Sequence, residues 1–142
     1  MDVKIMPTRL SGVVRAIPSK SQAHRALICA ALTNLTDKPT RIECDGESKD
    51  IAATVDCLSA LGAGIQREQG GYTVYPLKRE DKNDVVSLRC KESGSTFRFL
   101  LPIVGALGLR ASFVPEGRLP RRPLSPLYEE LADHGCSLST QG

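Results

Sequence analysis

Apolar residues fall at helical spacing in two stretches of the chain and at nearly every position in two others. In 48–61, Ile51, Val55, Leu58 and Leu61 recur every three or four residues while Lys49, Asp50 and Asp56 lie elsewhere, the pattern of a helix with one wet face. In 124–134, Leu124, Leu127, Tyr128 and Leu131 repeat that spacing ahead of Gly135. Segments 20–33 and 94–108 differ, because Ala26 to Leu32 and Phe99 to Leu107 are apolar nearly all round. That pattern predicts helices buried on every side except at their polar first turns. Pro102 lies inside the second of them, where its missing N–H and its ring predict a kink near residue 98.

Short β-prone runs alternate with these helices: Val13–Ala16, Thr40–Cys44, Ala63–Arg67, Tyr72–Tyr75, Val85–Leu88, Ala111–Val114 and Cys136–Ser139. Gly62 and Gly135 each stand just past a helix, where a left-handed closing residue is cheapest as glycine, and Gly70-Gly71 predicts a hairpin turn. The alternation predicts an α/β (α+β) fold. A weak internal repeat runs through it. A shift of 73 superposes Arg25 on Arg98, Leu27 on Leu100, Gly62 on Gly135 and Ile65 on Leu138, and a shift of 71 brings Asp45-Gly46 onto Glu116-Gly117. Two copies of one unit follow, each running buried helix, strand, acidic-Gly turn, amphipathic helix, Gly, strand. The repeat puts Arg25 and Arg98 in equivalent places.

With 142 residues, 41% of them hydrophobic, the chain can bury about two thirds of its unfolded surface in one core. A charged fraction of 25% and a net charge of +3 lean only mildly basic, which argues neither for nucleic acid nor for membrane binding. Five cysteines, Cys29, Cys44, Cys57, Cys90 and Cys136, form an odd set without a Cys-x-x-Cys pair or His spacing suited to zinc. Three of them fall in apolar periodic segments, as small core residues do, and a reducing cytoplasm is the expected compartment. Neither a signal peptide at the N-terminus nor a run long enough to span a bilayer is recognisable, Phe99 to Leu109 being too short.

Three segments concentrate groups able to bind anions. In Pro18-Ser19-Lys20-Ser21-Gln22-Ala23-His24-Arg25, Ser19 is a good N-cap, the following turn leaves backbone N–H groups unpaired, and Lys20 and Ser21 add donors. Ser21 and Arg25 lie four apart, on one helix face. In Glu92-Ser93-Gly94-Ser95-Thr96-Phe97-Arg98, Gly94 removes a side chain where an anion could approach the backbone, hydroxyls flank it, and Arg98 follows one turn later. No Gly-Lys-Ser/Thr ending is present, so a nucleotide P-loop is not supported. In Glu116-Gly117-Arg118-Leu119-Pro120-Arg121-Arg122-Pro123, prolines restrain a loop that holds its arginines out rather than folding them into a helix, and guanidinium suits bidentate contact with carboxylate or phosphate. Each segment also has a plain reading, as solvated charges, an ordinary Ser cap or a basic loop. His24 fits a supporting or a structural role, and His134 fits a helix C-terminus. Asp45, Glu47 and Asp50 lie near a helix start, where acids are stabilising, so no metal site is expected.

Taken in this order, the segments resemble those of a known family. Ser19-Lys20-Ser21-Gln22-Ala23-His24-Arg25 is similar to the Ser-Lys-Ser-x-x-x-Arg signature of the EPSP synthases (3-phosphoshikimate 1-carboxyvinyltransferases), and Gly94 to Arg98 to their Gly-Thr-x-x-Arg segment. Arg118 to Leu124 resembles their Arg-Pro stretch before a helix. Glu92 stands where the family often has Asn, and Ser95 where many members have Thr.

The resemblance implies enolpyruvyl transfer from phosphoenolpyruvate to the 5-hydroxyl of shikimate 3-phosphate, in the pathway to chorismate and the aromatic amino acids. By it, Lys20, Ser21 and Arg25 would hold shikimate 3-phosphate, Lys20, Gly94 and Arg122 phosphoenolpyruvate, and Arg98 and Ser95 would support the site. Gly94 matches the glycine that leaves room for the inhibitor glyphosate. The implied fold is the enolpyruvyl transferase fold of repeated βαβαββ units, helices inside and sheets outside. Residues 1–18 would be N-terminal strands, the first belonging to another domain, and 19–142 an incomplete domain of about two of the three units, 19–90 and 91–142. No cofactor or metal is implied, the partners are the two small substrates, and a monomer is expected. Proton-transfer residues of the family lie in the domain this chain lacks, so the chain alone is expected to bind without turnover. The sister enzyme acting on UDP-N-acetylglucosamine is the nearest rival, but it has Lys-Asn where this chain has Lys20-Ser21 and a reactive Cys that residues 115–121 lack. A nucleic-acid module is a further alternative, weakened by three Phe, three Tyr and no Trp to stack on bases.

Overall fold

The computed structural model describes residues 2–14, 16–33, 38–46, 48–78 and 84–140. Ten elements follow in order: α1 (Lys20–Leu32), β1 (Thr40–Glu43), α2 (Lys49–Ala60), β2 (Gly64–Glu68), β3 (Gly71–Tyr75), β4 (Val86–Lys91), α3 (Gly94–Ala106), β5 (Ala111–Pro115), a 3-10 turn (Leu119–Arg121) and α4 (Leu127–Asp133). The mixed α/β architecture is the one the alternation predicts.

Two small sheets flank the helices. In the first, β3 lies between β1 and β2 and is antiparallel to both, with Ile42 opposite Tyr72 and Ile65 opposite Val74. The β2–β3 hairpin turns at Gly70, whose φ of 76° is glycine territory. Gly71 has a different reason to be glycine: a Cβ there would overlap the Ile42 carbonyl oxygen of the neighbouring strand. In the second sheet β4 and β5 are parallel, which requires a long crossover connection, here α3. Both predicted helix-closing glycines take up positive φ, 107° at Gly62 and 87° at Gly135.

The core forms where α1, α2 and α3 meet the sheets. Leu27, Leu58, Leu88 and Leu100 are fully buried, one each from α1, α2, β4 and α3, and Val74 of β3 and Ala31 join them. Each such leucine contributes about 1.5–3 kcal/mol relative to exposure. A chain of hydrogen bonds crosses this apolar centre. His24 Nδ1 lies 2.7 Å from Thr54 Oγ1, which is 2.7 Å from Thr96 Oγ1, and Thr96 donates to Ser93 Oγ at 2.7 Å or to the Asp50 carbonyl at 3.3 Å. Lys20 pairs with Asp50 and His24 with Thr54, the same offset of 30 residues one turn apart, so α1 and α2 run parallel.

Several expectations need correction. Val13, Val14 and Ala16 are exposed and outside any strand, and Arg15 lies outside the described residues; among the described residues the run has no partner strand. Residues 136–139 are likewise not a strand. Helix 124–134 starts only at Leu127, because Pro123 and Pro126 hold the preceding backbone out of helix, while part of the arginine loop winds into a 3-10 turn instead of staying extended. β4 starts at Val86 and reaches Lys91, three residues past its predicted end. Pro102 sits inside α3, which continues from Gly94 to Ala106. Helices α1 and α3 are not buried all round. Cys29 of α1 is exposed, and in α3 only Thr96, Leu100 and Val104 are buried, since α1, α2, β4 and β5 cover one side and Phe97, Leu101 and Ile103 stay half-buried. Among the described residues no helix is long and apolar enough to cross a membrane.

Replacing Leu58 by Ala should lower unfolding stability by about 2–5 kcal/mol, read as a fall in urea midpoint at unchanged slope. A second expectation concerns His24. Burial, the largest influence, pushes its ionisation below the ordinary 6.5, aided by the Lys20 and Arg25 charges and opposed by the Asp50 carboxylate. Because the unfolded chain then binds the proton first, this stability is fully present above the unfolded value and lost as pH falls toward the lowered folded one. Stability should therefore fall as pH drops below the unfolded histidine's 6.5, and less steeply in a His24→Gln variant. Equal slopes in the two proteins would refute it.

Candidate functional site

Three helices begin at one end of the molecule, and each begins in the same way. Ser19, Ser48 and Ser93 sit in extended conformation and accept from the backbone N–H of Gln22, Ile51 and Thr96. A serine cap satisfies one of the four orphan amides of a helix start and leaves others facing outward. The ends are neighbours: Lys20 Nζ lies 2.5 Å from Asp50 Oδ2 in the first turn of α2, and the Asp50 carbonyl accepts from Thr96 in the first turn of α3. Roughly half a positive charge per helix start is thereby concentrated at one pole.

The side chains predicted to bind anions divide into two groups. On α1, Arg25 Nη1 donates to Ser21 Oγ at 2.7 Å and to the Ser21 carbonyl at 3.1 Å, the one-turn contact their spacing predicts. Phe99 of α3 lies beneath, 5.4 Å from the guanidinium carbon, so the arginine is braced against the other helix. On α3, Gly94 is the meeting point. A Cβ built there would lie 2.8 Å from Arg98 Nη1 and 3.3 Å from Arg122 Nη1. Two guanidinium groups thus converge on the one residue of the turn without a side chain. Arg98 is anchored by a 2.9 Å bond from Nη2 to the Pro123 carbonyl, which also ties down the loop carrying Arg122. Glu92 stays beside this loop, its carboxylate accepting from the Arg118 N–H at 3.3 Å and lying against Gly117. Ser95 is exposed at the same turn, and Arg118 and Arg121 are exposed along the loop.

Lys20 bridges the two groups. It is half exposed, and its partner Asp50 connects directly to the α3 turn. Sequence reasoning had Asp50 only as a dipole-stabilising acid and overlooked Thr54 and Thr96. A signal existed, since Lys20 and His24 on α1 and Asp50 and Thr54 on α2 share the i, i+4 spacing that puts both pairs on facing stripes. His24 resolves to a buried structural residue, and His134 Nδ1 lies 2.7 Å from the Glu130 carbonyl at its helix end. Elsewhere Cys57 and Cys90 hydrogen-bond to each other between α2 and β4, which lowers the Cys57 thiol and, with burial, raises that of Cys90.

Comparison with known proteins agrees with the motifs. The family model described as EPSP synthase (3-phosphoshikimate 1-carboxyvinyltransferase) matches residues 5–141. The 3-phosphoshikimate 1-carboxyvinyltransferase of Clostridium beijerinckii is 41% identical over 144 aligned positions, covering 97% of this chain and 32% of that protein. That of Clostridium kluyveri is 38% identical over 130, covering 89% and 29%. The solved EPSP synthase of Acinetobacter baumannii superposes with a TM-score of 0.71 at 22% identity, over 92% of this chain and 29% of that one, a likeness of fold. The chain thus spans about a third of the length of the relatives it matches. With the family pattern running through all but a few residues, the chain belongs to the EPSP synthase family.

Proposed function

We propose that this chain supplies part of the substrate pocket of a 3-phosphoshikimate 1-carboxyvinyltransferase, binding shikimate 3-phosphate along α1 and phosphoenolpyruvate between α1 and α3. The observation that carries the reading is the convergence of Arg98 and Arg122 on Gly94 at a helix start, 2.8 Å and 3.3 Å from where its Cβ would stand. Such a place offers backbone N–H groups and two planar donors to one small anion. Lys20, Ser21 and Arg25 hold the phosphate of the acceptor, Lys20, Gly94 and Arg122 hold phosphoenolpyruvate, and Arg98 and Ser95 support them.

In the reaction the acceptor's 5-hydroxyl adds to C2 of phosphoenolpyruvate while C3 gains a proton. Loss of phosphate and of a C3 proton from the tetrahedral adduct leaves the enolpyruvyl ether. Both reactants are polyanions, so bringing them within bonding distance needs a preorganised positive pocket and exclusion of water. The three gathered helix starts and four basic side chains meet the first need. Units 19–90 and 91–142 form this half of the pocket, and the five unpaired thiols suit a reducing cytoplasm.

Shikimate 3-phosphate should shift the backbone amides of Lys20, Ser21 and Arg25, and phosphoenolpyruvate those of Gly94 and Arg122; shifts confined to other faces would refute the site. Gly94→Ala should leave the urea midpoint nearly unchanged but weaken phosphoenolpyruvate about tenfold, as its methyl displaces the two guanidinium groups from charged hydrogen bonds. An unchanged affinity would sink the role given to Gly94.

A further inference from the structure

The residues assigned to the two ligands lie on α1, on α3 and in the loop after β5. Helix α2 contributes none of them, yet among the described residues the hydrogen-bonded links between α1 and α3 in the core pass through it. Asp50 holds Lys20 of α1 through its carboxylate and Thr96 of α3 through its carbonyl. One turn later Thr54 holds His24 of α1 and Thr96 of α3, both at 2.7 Å. Thr54 is 0% exposed and so reaches no ligand. Its hydroxyl is the joint of this network: one oxygen meets an imidazole from one helix and a hydroxyl from the other, and a buried polar chain tolerates little displacement because each lost partner leaves an unsatisfied group. His24 has no slack to offer, since its Nε2 is already buried without a partner.

We propose that Thr54 is a positioning residue that sets the distance between the α1 and α3 helix starts, and through it the fit of the one ligand that must touch both. The proposal rests on the site reading above. Under that reading shikimate 3-phosphate is held by Lys20, Ser21 and Arg25, neighbours whose spacing is set within α1, although Arg25 also rests on Phe99 of α3. Phosphoenolpyruvate needs Lys20 from α1 together with Gly94 and Arg122 beside α3, so any change in the α1–α3 gap is felt there. Small misplacements of a preorganised site are costly, of order a hundredfold per ångström in unfavourable cases.

The test is a pair of ligand titrations on the full chain, followed by backbone amide shifts, for wild type, Thr54→Val and Thr54→Ser. Valine keeps the branched shape and removes the hydroxyl, whereas serine keeps the hydroxyl and removes a methyl. The expected result is that Thr54→Val binds shikimate 3-phosphate with wild-type affinity but phosphoenolpyruvate about tenfold more weakly, with Thr54→Ser close to wild type for both. A general loss of folded protein would lower both affinities together and would track stability in both variants. Parallel weakening of both ligands, or an unaltered phosphoenolpyruvate affinity in a folded Thr54→Val, overturns the positioning role alone. Wild-type protein that responds to neither ligand overturns the site reading itself, and this inference with it.

Discussion

Three helix starts packed side by side repel one another, and that repulsion is the constraint around which the rest is arranged. Each carries roughly half a positive charge, and parallel helices put like poles together. Burial of Leu27, Leu58 and Leu100 beneath them supplies the attraction, the His24–Thr54–Thr96 chain fixes the spacing, and Asp50 places a carboxylate among the positive ends. Under the proposed reading a bound anion would offset part of this repulsion, so that ligand binding and stability would be coupled in the favourable direction.

The same arithmetic explains why Lys20 is paired and still serviceable. Its link to Asp50 is partly solvent-exposed, with side chains 52% and 31% accessible, and such a pair is worth about 0–1 kcal/mol. A phosphate competing for the ammonium group therefore meets little resistance. Arg25 and Arg98 are held differently, by a serine one turn back and by a loop carbonyl, contacts that orient the guanidinium groups without cancelling their charge. Charge cancelled cheaply at one position and only aimed at the others is what a site for polyanions requires.

Much of this was legible in the residues. The helix caps, the closing glycines, the hairpin at Gly70 and the i, i+4 contact of Ser21 with Arg25 are local, decided by side chains within a turn of one another. The failures were non-local. Val13–Ala16 is β-prone, but a strand needs a partner, and none of the chain's other strands takes that place. Helix α3 is apolar all round, but burial on its far side needs more protein than its neighbours α1, α2, β4 and β5 provide, and a groove of about 780 Å³ runs along Phe97, Leu101, Val104 and Phe113. The internal repeat is less clear in the structure: Arg25 lies six residues past its cap Ser19 and Arg98 five past Ser93, and the strand that the second copy needs at 136–139 does not form.

Gly94 brings the local and non-local levels into conflict. As the first residue of α3 it follows a good cap, and alanine there would suit a helix better, glycine costing up to about 1 kcal/mol in backbone entropy at interior positions and less at an end. Propensity therefore argues against glycine. Packing argues for it, since the volume a methyl would occupy is bounded by Arg98, Arg122 and Leu119. A purely structural turn could fill that volume by letting flexible guanidinium groups swing into solvent, where they are better hydrated. Arg98 is instead tied back to Pro123, against the start of a helix that already carries positive potential. Two cations drawn toward a positive pole and crowded over an unsubstituted Cα are hard to explain as a device for stability, and they accord with the anion-binding role proposed for Gly94.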